Sequence, residues 1–317
     1  LGNFVLYLVG LLGLFLWLAS KKINKSVIFL SFSVLNFFPP IYGGRLIMKP
    51  EIIVFCFLPW VFIGIDNYFK NQKKLNLILV APLLSLLVTS KGTIAIMVFL
   101  SLLYLYFEDI KKVNIKNLIV PVGIFTVLTT LLYNENSNVN TISLLSHQEL
   151  EQYLFKAPIS FIYNINFLEL FTNPFRNQHA NSLIGITLID LFGDYFNRYW
   201  DNSRSLFLEN RRELFEFLPN PRRNVSLVLS TIFVISSIFS RSNKTFKKHQ
   251  VVYLIGILIL ALTSLGLFGL HFNPEKGDTV KTHYYFYLIA ISFTVMFVQY
   301  LSIKKYSIQL VSVLLTI

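Results

Sequence analysis

Long apolar runs, punctuated by lysine clusters at nearly every second gap, constrain this chain more than any other feature. Hydrocarbon offers no partner to backbone N–H and C=O groups, so a segment immersed in it satisfies them internally, as an α-helix does. A bilayer core of roughly 30 Å takes about 20 apolar residues per helix. Candidate spans run over residues 1–19, 26–43, 50–69, 76–90, 92–107, 118–133, 225–240, 251–270 and 283–301, and another opens at 308. Composition agrees: 54% of residues are hydrophobic and 14% charged, where soluble domains carry about 25% charge. The expected fold class is all-α, a polytopic integral membrane protein with about 9–10 transmembrane helices. Its parts are helices over 1–133, a large extracytoplasmic loop over 134–224, and further helices over 225–317.

The connecting loops alternate in charge. Lys21, Lys22 and Lys25 follow the first span, Lys70, Lys73 and Lys74 the third, and Lys111, Lys112 and Lys116 the fifth. Arg241, Lys244, Lys247 and Lys248 follow the seventh, and Lys304 and Lys305 the ninth. These loops hold 15 of the 28 basic residues, whereas the opposite short loops hold only Arg45, Lys49, Lys91, Lys276 and Lys281. The positive-inside bias assigns the lysine-rich side to the cytoplasm. The net charge of +12, which in a soluble protein would suggest nucleic acid, is thereby explained by topology and anionic headgroups. The chain opens at Leu1 inside an apolar run and on the outer side, so a missing upstream helix is expected, with a cleaved signal peptide as the alternative. Cys56 is the single cysteine, so no intrachain disulfide can form.

Residues 134–224 are too aromatic for a disordered linker. The stretch Asn134–Asn138 reads as a solvated turn, and Pro158 and Pro174 divide the remainder into short helices lying at the membrane surface. Over 183–201, a spacing of 100° per residue gathers Asp190, Asp194, Asn197 and Asp201 within about 60° of one another. Ile184, Leu188, Phe192, Tyr195 and Tyr199 take the opposite face. Such a helix either shows water its polar side or turns Asp194 into a cavity toward an acceptor or a divalent cation, and helical spacing does not separate the two.

The remaining candidates are charges at outer helix ends. Arg45, Lys49 and Glu51 stand where the second span meets the third. Glu51, beside Pro50, suits the positive end of a helix dipole, but a carboxylate flanked by two cations also suits a phosphorylated lipid. Lys91 is the single charge of a tight outer turn, placed against the orientation rule, and either snorkels or binds an anion. Asp278, Lys281, His283 and Tyr284 open the ninth span, where lysine and tyrosine can donate to phosphate oxygens. No P-loop, GxGxxG, HExxH, CxxC or GxSxG occurs, and the five histidines are scattered, so neither a resident metal nor another cofactor is expected.

With these residues placed, the chain resembles the bacterial membrane glycosyltransferases of the GT-C superfamily. The resemblance lies in Arg45-Leu46-Ile47-Met48-Lys49-Pro50-Glu51 before an apolar span, Phe192-Gly193-Asp194-Tyr195-Phe196 with Tyr199-Trp200, and Asp278-Thr279-Val280-Lys281-Thr282-His283-Tyr284-Tyr285. It covers most of the chain as helix order and loop placement. It implies transfer of a sugar from a polyprenyl-phosphate carrier to a lipid, glycan or protein acceptor on the outer face of the bacterial cytoplasmic membrane. Glu51 and Asp194 would assist catalysis, and Arg45, Lys49, Lys91, Asp278, Lys281, His283 and Tyr284 would bind substrate. The family's leading aspartate would precede Leu1. An O-antigen-type polymerase, with the arginines of 198–223 gripping an anionic glycan, and a lipid or glycan flippase are the competing readings.

Overall fold

The computed structural model describes residues 2–36, 38, 41, 52–90, 92–139, 159–166, 168, 182–192, 231–232, 234–236, 248–252, 254–256, 258–259 and 283–303. Every described element is helical, with no strand among the described residues. The helices are α1 (Gly2–Ser20), α2 (Lys25–Asn36), α3 (Ile52–Asn71), α4 (Lys74–Ser90), α5 (Gly92–Ile110), α6 (Ile119–Val139), α7 (Ser160–Tyr163), α8 (Leu183–Phe192) and α9 (His283–Ile303). A 3₁₀ turn, Ile115–Asn117, precedes α6. Residues 248–252 and the described positions of 254–259 are also helical. Among the described helices, α1 and α3 are long and apolar enough to cross a membrane by length and composition.

α1 packs on α3, α3 on α4, and α4 on α6. The first of these seams is made by small residues. Gly10 and Gly13 lie one turn apart on α1 and are both buried. A Cβ at Gly13 would come within 2.6 Å of Trp60 Nε1, the atom that donates to the Val9 carbonyl at 3.1 Å. A Cβ at Gly10 would strike the backbone carbonyl of Phe55. Pro59, inside α3, has no N–H to offer that carbonyl four residues earlier. Glycine at position 10 therefore leaves room for the turn that the proline alters. Tyr7 closes the same seam by stacking on Phe55 with ring centroids 5.3 Å apart and donating to Asn36 Oδ1 at 2.8 Å. At the α3–α4 seam, Gly64 faces Val80 with no space for a side chain.

α9 is the central helix. It packs on α2, α3 and α5, and Leu288 and the residues from Ala290 to Gln299 are buried around its whole circumference, as expected of a helix apolar on all sides. Phe38 meets Phe293 edge-on at 6.3 Å.

Two details differ from the sequence reading. The span expected over 26–43 is not one helix: α2 ends at Asn36 and Phe38 sits in a bend. Pro39 and Pro40 account for this, since a proline disfavours helix in the residue before it. The expected solvated turn at 134–138 is helix, because α6 continues to Val139. Once a helix is nucleated, each residue adds a hydrogen bond, and neither glycine nor proline intervenes. Within α8, Leu183, Ile186 and Thr187 are buried, Leu188 is half-buried and Ile184 is exposed. α8 packs against α7, where Phe161 is buried, and that neighbour selects the face. Ser182 caps α8, its Oγ accepting from Gly185 N at 2.9 Å.

The glycine seam gives a direct test. Gly10→Ala should lower stability by about 1–3 kcal/mol through overpacking. Gly123→Ala, where a Cβ meets nothing within 4 Å, should be neutral or stabilise by up to about 1 kcal/mol through helix propensity. Thermal unfolding of both variants beside the parent measures the contrast.

Candidate functional site

Arg45, Lys49, Glu51, Lys91, Asp194, Asp278 and Lys281 lie outside the described residues, and His283 and Tyr284 open α9 where only the backbone is described. What is described is where the neighbouring helices begin: α3 at Ile52, α5 at Gly92 and α9 at His283.

At the other end of α3 a polar cluster converges on one carboxylate. Asp66 Oδ2 accepts from Trp17 Nε1 of α1 at 2.7 Å and pairs with Lys21 Nζ, also at 2.7 Å. Asp66 Oδ1 accepts from Tyr106 OH of α5 at 3.2 Å. Each donor comes from the C-terminal part of its helix or the turn after it. Lys21 also stands 5.6 Å from the Trp17 ring centroid, so the indole contacts both members of the ion pair. The pair is half-buried, with side-chain exposures of 30% for Lys21 and 23% for Asp66. In that position charge-assisted hydrogen bonds are roughly twice as strong as neutral ones.

A fourth segment joins this cluster. His249 is buried with its ring 5.7 Å from Trp17 and 6.1 Å from Phe62, edge-on to both. Lys248 Nζ donates to the Leu105 carbonyl of α5 at 3.2 Å. Burial, and then the charge of Lys21, push the His249 pKa down to about 3, so its imidazole is neutral. Its Nδ1 has no hydrogen-bond partner among the described residues.

Chemically, the arrangement is a clasp. Asp66 already receives an ammonium, an indole N–H and a phenol, which leaves little of it to act on a substrate. No group of three His, Cys, Asp or Glu is placed to hold a metal ion among the described residues. Sequence reasoning passed over Asp66 and counted His249 among scattered histidines. The available signal was a lone carboxylate within the otherwise apolar run 52–69, where an ionisable residue calls for a named partner. No family model, curated protein or solved structure matches the chain.

Two measurements examine the clasp. Asp66→Ala strands Lys21, Trp17 and Tyr106 together and should cost about 2–4 kcal/mol in unfolding free energy, while Lys112→Ala, an exposed partner of Asp109, should change it by less than about 1 kcal/mol. His249 sets a pH dependence of known sign. Its folded pKa lies below the ordinary 6.5, so the unfolded chain binds the extra proton and stability falls as pH drops from about 6.5 toward about 3. His249→Phe should flatten that part of the unfolding profile.

Proposed function

We propose that this chain is a multi-pass membrane protein that transfers a sugar from a polyprenyl-phosphate carrier to an acceptor at the end of the bundle opposite the Asp66 clasp. The observation that carries the membrane part is the outward face of its helices. Phe4, Leu8, Leu12 and Leu16 are exposed along α1, and Val120, Val127 and Leu131 along α6. Large apolar side chains along whole helices suit hydrocarbon, and patches of that extent are rare on soluble monomers. The clasp supplies the second support. It joins the lysine-bearing ends of α1, α3 and α5 to the start of the helix at 248, as alternating passes through a bilayer require.

The transfer part rests on the charges at helix starts and on the likeness to GT-C glycosyltransferases. Ile52 precedes Asp66 by the same number of residues as Gly92 precedes Tyr106. At 1.5 Å per residue both helix starts stand about 21 Å from the clasp. Glu51 and Lys91 are the residues immediately before those two starts, and Lys281 lies two before the start of α9. A carboxylate there can assist removal of the proton from an acceptor hydroxyl as that hydroxyl attacks the anomeric carbon. Lysines can stabilise the negative charge that grows on the departing carrier phosphate. The active face would be extracytoplasmic, with the lysine-rich end in the cytoplasm.

Membrane vesicles holding the full-length protein and a radiolabelled polyprenyl-phosphate sugar test the reading. Glu51→Gln should lose about a hundredfold or more in transfer rate, and Lys91→Ala and Lys281→Ala about tenfold or more, with membrane insertion unchanged. Normal turnover in all three would overturn the assignment. Growth of a glycan only by whole repeat units would point to a polymerase instead.

A further inference from the structure

The clasp has a consequence for the surface around it. By pairing with Asp66, Lys21 fixes the turn between α1 and α2, where Lys22 and Lys25 are exposed. Asn117 Nδ2 donates to Tyr68 OH at 3.2 Å, which draws the loop bearing exposed Lys112 and Lys116 to the turn bearing exposed Lys70, Lys73 and Lys74. Little acid offsets them at this end among the described residues. Asp66 is engaged with Lys21, and Asp109 is paired with Lys112 at 2.9 Å, so Glu108 is the exposed remainder.

Directly beside these lysines stands a collar of exposed apolar side chains: Leu75 and Leu79 on α4, Phe107 and Ile110 at the end of α5, and Ile115 and Ile119 ahead of and within α6. The two features together select the partner. A soluble polyanion would neutralise the lysines and leave the collar in water. A neutral bilayer would cover the collar and leave the ammonium groups without counter-ions. A bilayer with anionic headgroups satisfies both, since lysine stems lie along the apolar boundary while their heads reach phosphate.

We propose that this end of the folded protein is a binding surface for anionic phospholipid, so that its stability rises with the anionic content of the leaflet it faces. This rests on the membrane reading above and adds to it a lipid preference held by the folded state. The test uses the full-length protein in nanodiscs of phosphatidylcholine alone or mixed with phosphatidylglycerol, read by thermal unfolding and by native mass spectrometry of retained lipid. The wild type should unfold at higher temperature in the mixed discs and retain phosphatidylglycerol preferentially, with both effects weakened by high salt. The triple variant Lys70→Gln, Lys73→Gln, Lys74→Gln should retain roughly a hundredfold less phosphatidylglycerol, at about fivefold per lysine. Equal unfolding temperatures and equal retention of the two lipids in the wild type would overturn the proposal without any variant. So would stabilisation in neutral discs by soluble polyglutamate equal to that given by phosphatidylglycerol. Alkaline extraction separates the two levels: protein stripped from membranes defeats the membrane reading itself, whereas protein that resists extraction yet ignores lipid charge defeats only this inference.

Discussion

A carboxylate held partly out of water must be matched, and the matching of Asp66 organises the described structure. Its partners come from the ends of two other helices and the turn after one of them, so meeting its hydrogen-bonding needs fixes the relative height of α1, α3 and α5. Burying an unmatched carboxylate costs several kcal/mol, which penalises any slip of one helix along another. The aromatic layer of Trp17, Phe62 and His249 then shields one side of the ion pair. A histidine kept neutral by burial and by Lys21 adds no second positive charge to the site.

Away from the clasp, packing rests on close approach instead of charge. Gly10 and Gly13 stand where α3 leaves no room for a side chain on α1, and Gly64 of α3 stands where Val80 of α4 leaves none. In hydrocarbon, where lipid tails are as apolar as leucine, small residues that let helices touch closely are a main source of helix association. Ser85 shows the polar counterpart, its Oγ reaching the Phe125 carbonyl of α6 at 3.2 Å. With α9 buried on every side, the bundle has a central helix although its outer helices present apolar side chains outward.

Much of the helical order was legible because apolar length and punctuation are local properties. The runs at 1–19, 50–69, 92–107 and 283–301 correspond to α1, α3, α5 and α9 within a few residues. Boundaries were less legible where two local signals compete: Pro39-Pro40 against a continuing apolar run, or weak helix formers at 134–138 against a helix already propagating. The buried face of α8 depended on α7, a neighbour that no periodicity within 183–192 reveals. The clasp was hidden for a related reason. Lys21 and Asp66 are far apart in sequence, and the lysine was absorbed into a charge pattern that needed no specific partner. Glu51, Lys91 and Lys281 lie outside the described residues, and the proposed transfer site is argued from their positions in the chain.

The proposed membrane orientation requires the lysine-bearing turns to share one side of the bilayer. Cysteines placed singly at the exposed positions Asn24, Gln72 and Asn114, in a chain whose buried Cys56 is first replaced by serine, report this directly when sealed vesicles are treated with a membrane-impermeant maleimide. All three should label from the same face, and only from that face. Labelling of one from the opposite side, or of all from both sides without permeabilisation, would contradict the proposed orientation.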